Sequence, residues 1–103
     1  MLSVVDIKNK IEPVVKDTPV VRMILFGSYA KGVANQNSDI DLYLISNGAI
    51  TGLAFYDIKA KIEEAFNTNV DLIPDLDIIP NSPIQQEIDN TGVVIYERQG
   101  FVN

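Results

Sequence analysis

The sequence predicts a small α/β domain of the α+β kind, a mixed β-sheet of about four strands with helices packed on it. Short apolar runs rich in Val and Ile alternate with stretches whose apolar residues recur every three to four positions. Helix-start and helix-stop residues stand at the joints between them. The resulting order, α-β-(α)-β-α-β-α-β, is that of a layered sheet-and-helix domain.

Ser3 followed by Asp6 reads as a helix-capping pair, and Val4, Ile7, Ile11, Val14 and Val15 continue at helical spacing. Pro13 is expected to kink or end this helix early. Val20 to Phe26, after Pro19, is a β-branched run interrupted only by Arg22, which predicts a buried strand. Gly27-Ser28 ends it, and Tyr29 to Gly32 reads as a short helical turn. A loop over Val33 to Asn37 leads to a second strand, Asp39 to Ile45, closed by Asn47-Gly48.

Phe55, Ile58, Ile62, Ala65 and Phe66 form a helical stripe, with Asp57, Lys59, Lys61, Glu63 and Glu64 mostly on the wet side. Asn69 to Ile73 is a third strand and Pro74 to Pro80 an irregular connection. Ser82-Pro83 is a helix start and Gly92 a stop. Val93 to Glu97 reads as a last strand at a sheet edge, and Gly100 to Asn103 as a frayed tail.

The 103 residues, 47% hydrophobic, suit one domain over 1–103. With no Cys, thiol nucleophiles and thiolate zinc sites are excluded; with no His, so are a Ser-His-Asp triad and a His-ligated metal. A metal here must be held by oxygen, which points to Mg²⁺, Mn²⁺ or Ca²⁺. A net charge of −6 disfavours direct nucleic-acid binding and suits a basic protein or an anion escorted by a divalent cation. No apolar run approaches the ~20 residues of a membrane span. The N-terminus carries no basic region ahead of its apolar residues, so a cytoplasmic protein is expected.

The chemistry is concentrated in Gly27-Ser28-Tyr29-Ala30-Lys31-Gly32 and Ser38-Asp39-Ile40-Asp41-Leu42. On a strand, Asp39 and Asp41 share one face with Cα atoms roughly 6–7 Å apart, while Ile40, Leu42 and Leu44 face the core. Two such carboxylates repel unless a cation joins them. An isolated Asp-x-Asp is more often simply the wet face of a half-exposed strand; the Gly-Ser turn just upstream reverses that and favours a cleft. Gly27 permits unusual backbone and lets N–H groups approach an anion. Ser28 supplies a hydroxyl and a candidate cap for the short helix, whose N-terminus favours phosphate. Lys31 is a cationic contact or simply a solvated surface residue.

A third carboxylate is expected, to complete a metal shell and help deprotonate an attacking hydroxyl. Asp71, Asp75 and Asp77 are the candidates. Asp71 is preferred because an unpaired charge in the strand-like Val70-Asp71-Leu72-Ile73 would be costly, whereas solvation explains Asp75 and Asp77. Tyr29, Tyr43, Tyr56 and Tyr96 read as packing residues, and Arg22 as the partner of an acidic residue.

Gly-Ser, then the ten residues 29 to 38, then Asp39-x-Asp41 resembles the signature of the DNA polymerase β-like nucleotidyltransferase superfamily, above all its minimal nucleotidyltransferase (MNT) branch. Val70-Asp71-Leu72-Ile73 is similar to the family's third-carboxylate strand. The resemblance implies the polymerase β-like fold, Mg²⁺ (two ions, with Mn²⁺ an alternative) on Asp39, Asp41 and Asp71, and a nucleotide triphosphate against Gly27 and Ser28, with Lys31 and Ser38 as further contacts. It implies transfer of AMP from ATP to a hydroxyl, with release of pyrophosphate.

Larger members carry an additional acceptor-binding region, for which 103 residues are expected to leave no room. In minimal members the partner is often a HEPN-domain toxin whose tyrosine receives the AMP, so the resemblance implies an antitoxin of that kind. A non-catalytic antitoxin that binds and occludes its partner, and a nucleotidyltransferase acting on a small molecule, are the alternatives.

Overall fold

A computed structural model describes residues 2–98. The expected fraying of Gly100 to Asn103 lies outside the described residues. The elements are α1 (Val4–Val15), β1 (Arg22–Phe26), α2 (Ser28–Lys31), β2 (Ile40–Ile45), α3 (Gly52–Phe66), β3 (Val70–Pro74), a 3₁₀ turn (Asp75–Asp77), α4 (Pro83–Thr91) and β4 (Val93–Glu97). Four strands form one mixed sheet in the order β3-β2-β1-β4, with β1 antiparallel to β2 and β4, and β2 parallel to β3.

Two of the predicted caps form. Ser3 and Asp6 close a capping box on α1, and Ser82 accepts a hydrogen bond from the Gln85 amide at the start of α4. Pro13 does not end α1, which runs on to Val15. The position explains the difference: only two residues follow Pro13, so little helix depends on the hydrogen bond it cannot donate. Phe55 begins the α3 stripe as predicted, but the helix itself starts at Gly52.

One sheet face carries the core. Ile40, Leu42 and Leu44 of β2, Met23 and Leu25 of β1 and Leu72 of β3 pack with Ile7, Ile11 and Val15 of α1 and Ile58, Ile62 and Phe66 of α3. Alternation along β2 sends Asp41, Tyr43 and Ile45 to the other face, where they are only half-buried. There α4 lies against β1: Ile88 and Phe26 are buried but outside the main cluster. A Cβ on Gly92, at the end of α4, would stand 2.9 Å from Ile24 Cγ2, so glycine lets the helix end sit flush on β1. Arg22 meets Glu97 across the β1–β4 pair at 2.9 Å, the acidic partner the sequence predicts.

Candidate active site

The turn after β1, the start of β2 and the start of β3 converge at one end of the sheet. Phe26, immediately before Gly27, is paired with Asp41, and Asp41 is paired in parallel register with Asp71. Neighbouring strands lie about 4.8 Å apart and paired residues point to the same face, so the carboxylates of Asp41 and Asp71 stand side by side. Asp39 precedes the first strand residue, Ile40, and is exposed. Burial, then Asp71, Asp39 and Glu87 in that order, push the Asp41 carboxyl up to about 6. The cause is unneutralised negative charge gathered at a partly desolvated position.

Asp71 is exposed, contrary to the apolar setting its sequence suggests. β3 is an edge strand whose outer face at this point is uncovered, so the charge is solvated. What distinguishes Asp71 is its register, two strands of one parallel pair beginning in step. Asp75 also departs from expectation. Its carboxylate oxygen Oδ2 accepts hydrogen bonds from the amides of Ser46 (3.2 Å) and Asn47 (2.8 Å), at the far end of β2 from Asp41. A strand of six residues separates the two positions by roughly 15–20 Å, so Asp75 cannot join Asp41. Asp77 is exposed in the same 3₁₀ turn.

Gly27 has φ +75° and ψ −151°, a combination that favours glycine. A Cβ there would overlap Oδ2 of Asp41, with Asp41 Cγ at 3.3 Å. The glycine is therefore the space into which the Asp41 carboxylate fits. Its own amide is engaged, donating to Thr91 Oγ1 at 3.0 Å. Gly27, not Ser28, occupies the N-cap of α2, and no side chain caps the first turn; Ser28 is the first helical residue, half-buried. The expected Ser28 cap is thus corrected, because the helix begins one residue earlier.

Lys31, at the other end of α2, pairs with Glu87 at 3.5 Å, both side chains about half exposed. The Ser38 hydroxyl accepts from the Asn35 amide at 2.9 Å and closes the loop before β2. Tyr29 packs against the core cluster.

The donor set is three carboxylates in a chain with no His or Cys, which suits a hard divalent cation. The raised Asp41 carboxyl marks a charge that such a cation would neutralise. Among the described residues no group of three or more acidic side chains is gathered closely enough to hold a metal ion as it stands. A surface concavity lies elsewhere, between α1 and β4 beside Lys8, Lys16 and Arg98.

Sequence reasoning missed Thr91 and Glu87. Both sit on α4, more than fifty residues beyond Gly27 and Lys31, and their spacing of four is ordinary for any helix face.

The family model described as "Polymerase beta, Nucleotidyltransferase" matches residues 9–100. The protein adenylyltransferase MntA of Shewanella oneidensis is 34% identical over 68 residues, covering 64% of this chain and 49% of the relative. The chain thus spans about half the length of that curated relative. A crystal structure of a toxin–antitoxin with AMP-PNP aligns with TM-score 0.71 and 25% identity, over 89% of this chain and 74% of the other. A tri-AMPylated Shewanella oneidensis HEPN toxin in complex with its MNT antitoxin aligns with TM-score 0.65 and 23% identity, over 90% and 71% of the two chains, a likeness of fold. Among the described residues no helix is long and apolar enough to cross a membrane.

Proposed function

This chain belongs to the polymerase β nucleotidyltransferase family, and we propose that it is a protein adenylyltransferase, moving AMP from ATP to a tyrosine hydroxyl of a HEPN-domain toxin and so acting as the antitoxin of the pair. The observation that carries this is the in-register pairing of Asp41 with Asp71 beside a glycine turn shaped around the Asp41 carboxylate. The MntA likeness supports adenylyl transfer, and the likeness to toxin–antitoxin complexes supports the partner class.

In this reading Asp39, Asp41 and Asp71 would hold magnesium, as two ions. Bound there, it would supply alignment of the triphosphate and stabilisation of the charge that develops as pyrophosphate leaves. Gly27 and Ser28 receive the phosphates, with the Ser28 hydroxyl and the uncapped first turn of α2 as donors. Lys31 and Ser38 are the remaining proposed nucleotide contacts. Asp71, exposed on the sheet edge, can be reached by a hydroxyl from outside and accepts its proton as that oxygen bonds to the α-phosphorus. The bond between the α-phosphorus and the bridging oxygen breaks. The acceptor arrives on a separate protein, and an acidic chain of net charge −6 suits a basic one. Residues 1–103 would form one minimal nucleotidyltransferase domain working in the cytoplasm.

The test is Mg²⁺-dependent labelling of the co-expressed partner with AMP from labelled ATP. Asp39→Asn and Asp41→Asn are each expected to lower the rate by at least about 10²-fold with the fold retained. Normal labelling by both variants would exclude this chemistry. Toxin neutralisation by unlabelled complexes of Asp41→Asn would favour occlusion instead.

A further inference from the structure

From these contacts we infer that Thr91 is a positioning residue for the nucleotide site: its hydroxyl fixes the Gly27 amide, and with Glu87 it makes α4 a two-point clamp on the α2 turn.

The Thr91 hydroxyl donates to the Glu87 carbonyl, one helical turn back, at 2.7 Å. That bond uses the only proton on the hydroxyl, so Oγ1 can meet a further partner only as an acceptor. The partner is the Gly27 amide at 3.0 Å. Gly27 is buried and lies in a backbone region that few conformations reach, and its amide cannot join the sheet because the chain has turned out of β1. Without Thr91 that buried N–H would lack a partner. The turn would then move to solvate it, carrying the space reserved for Asp41 and the first turn of α2.

The second point of the clamp lies one turn back on α4. Glu87 and Thr91, spaced by four, present to the same side of the helix. Glu87 reaches Lys31 at 3.5 Å, so α4 touches α2 at both its cap and its last residue. Gly92 makes the approach possible, since a Cβ there would meet Ile24 Cγ2 at 2.9 Å and the Ile88 carbonyl oxygen at 2.5 Å. A purely packing role would need no hydroxyl at position 91.

The inference rests on the reading that the Gly27–Lys31 turn receives the phosphates, and the experiment separates the two. Binding of Mg²⁺–ATP is measured by calorimetry on the full chain and on Thr91→Val and Thr91→Ser, with melting temperatures and with hydrogen exchange at the Gly27 amide. Thr91→Val is expected to bind about tenfold more weakly with the Gly27 amide exchanging faster, while Thr91→Ser binds as the parent does. Equal affinity in Thr91→Val and the parent overturns the inference, and so does a Thr91→Ser variant as weak as Thr91→Val. A parent that binds no Mg²⁺–ATP sinks the nucleotide reading alone. The exchange measurement then decides the clamp, which falls if the Gly27 amide of the parent exchanges like an exposed one, even where Thr91→Val does not fold.

Discussion

At one end of β2 the carboxylate of Asp75 accepts hydrogen bonds from the amides of Ser46 and Asn47; at the other, the carboxylate of Asp41 faces Asp71 and Asp39, and Glu87 adds a further negative charge. Both aspartates belong to an Asp-x-Asp pair, 39–41 and 75–77. The first satisfies backbone donors that would otherwise be left open where a strand ends, and so stabilises the fold. The second concentrates charge where the fold gains nothing from it. In the proposed reading, that retained repulsion belongs to a place arranged for a ligand. The same two-residue pattern thus serves structure in one place and, under the proposed function, chemistry in the other, and the difference lies in which backbone groups each carboxylate can reach.

Removing each carboxylate in turn should cause opposite losses. Asp41→Asn should abolish AMP transfer while leaving a folded protein; Asp75→Ala should cost about 2 kcal/mol of stability in urea unfolding while leaving Mg²⁺–ATP affinity at the parent value. If Asp75→Ala lost nucleotide affinity without losing stability, the assignment of roles would be reversed.

A smaller effect is set by pH. The Asp41 carboxyl is raised from 3.8 to about 6, so the native state binds a proton that the unfolded chain has already released in that interval. Stability therefore falls as pH rises from about 4 to about 6 and is level above it. The loss is about 1–2 kcal/mol once solvent screening of this half-buried group is allowed for. Asp41→Asn should remove that slope, making the metal-free variant more stable than the parent at pH 8. A parent and variant with parallel pH–stability curves would contradict it.

Smallest of all is Asp77→Ala, expected to stay within about 0.5 kcal/mol because the residue is exposed and its side chain accepts no hydrogen bond among the described residues. A larger loss would mean that the second pair acts as a unit.

Much of this protein was legible along the chain because its signals are local. A cap, a β-branched run or a helical stripe depends on residues within a few positions of one another, and so the four strands and the four helices could be read in order. Gly27, Ser28, Asp39 and Asp41 were singled out for the same reason: they fall within fifteen residues. Pro13 misled because its cost depends on how much helix follows. Asp71 was singled out on an argument from burial that the structure does not support, since the edge position of β3 leaves it exposed.

Tertiary structure alone decided the rest. Only the parallel register of β2 and β3 could set Asp71 beside Asp41, and only the seating of α4 on β1 could bring Thr91 to Gly27 and Glu87 to Lys31. The physical reason is that a hydrogen bond or a charge acts over a few ångströms of space, whatever the distance in sequence, and the chain encodes such meetings only through the packing of its whole core.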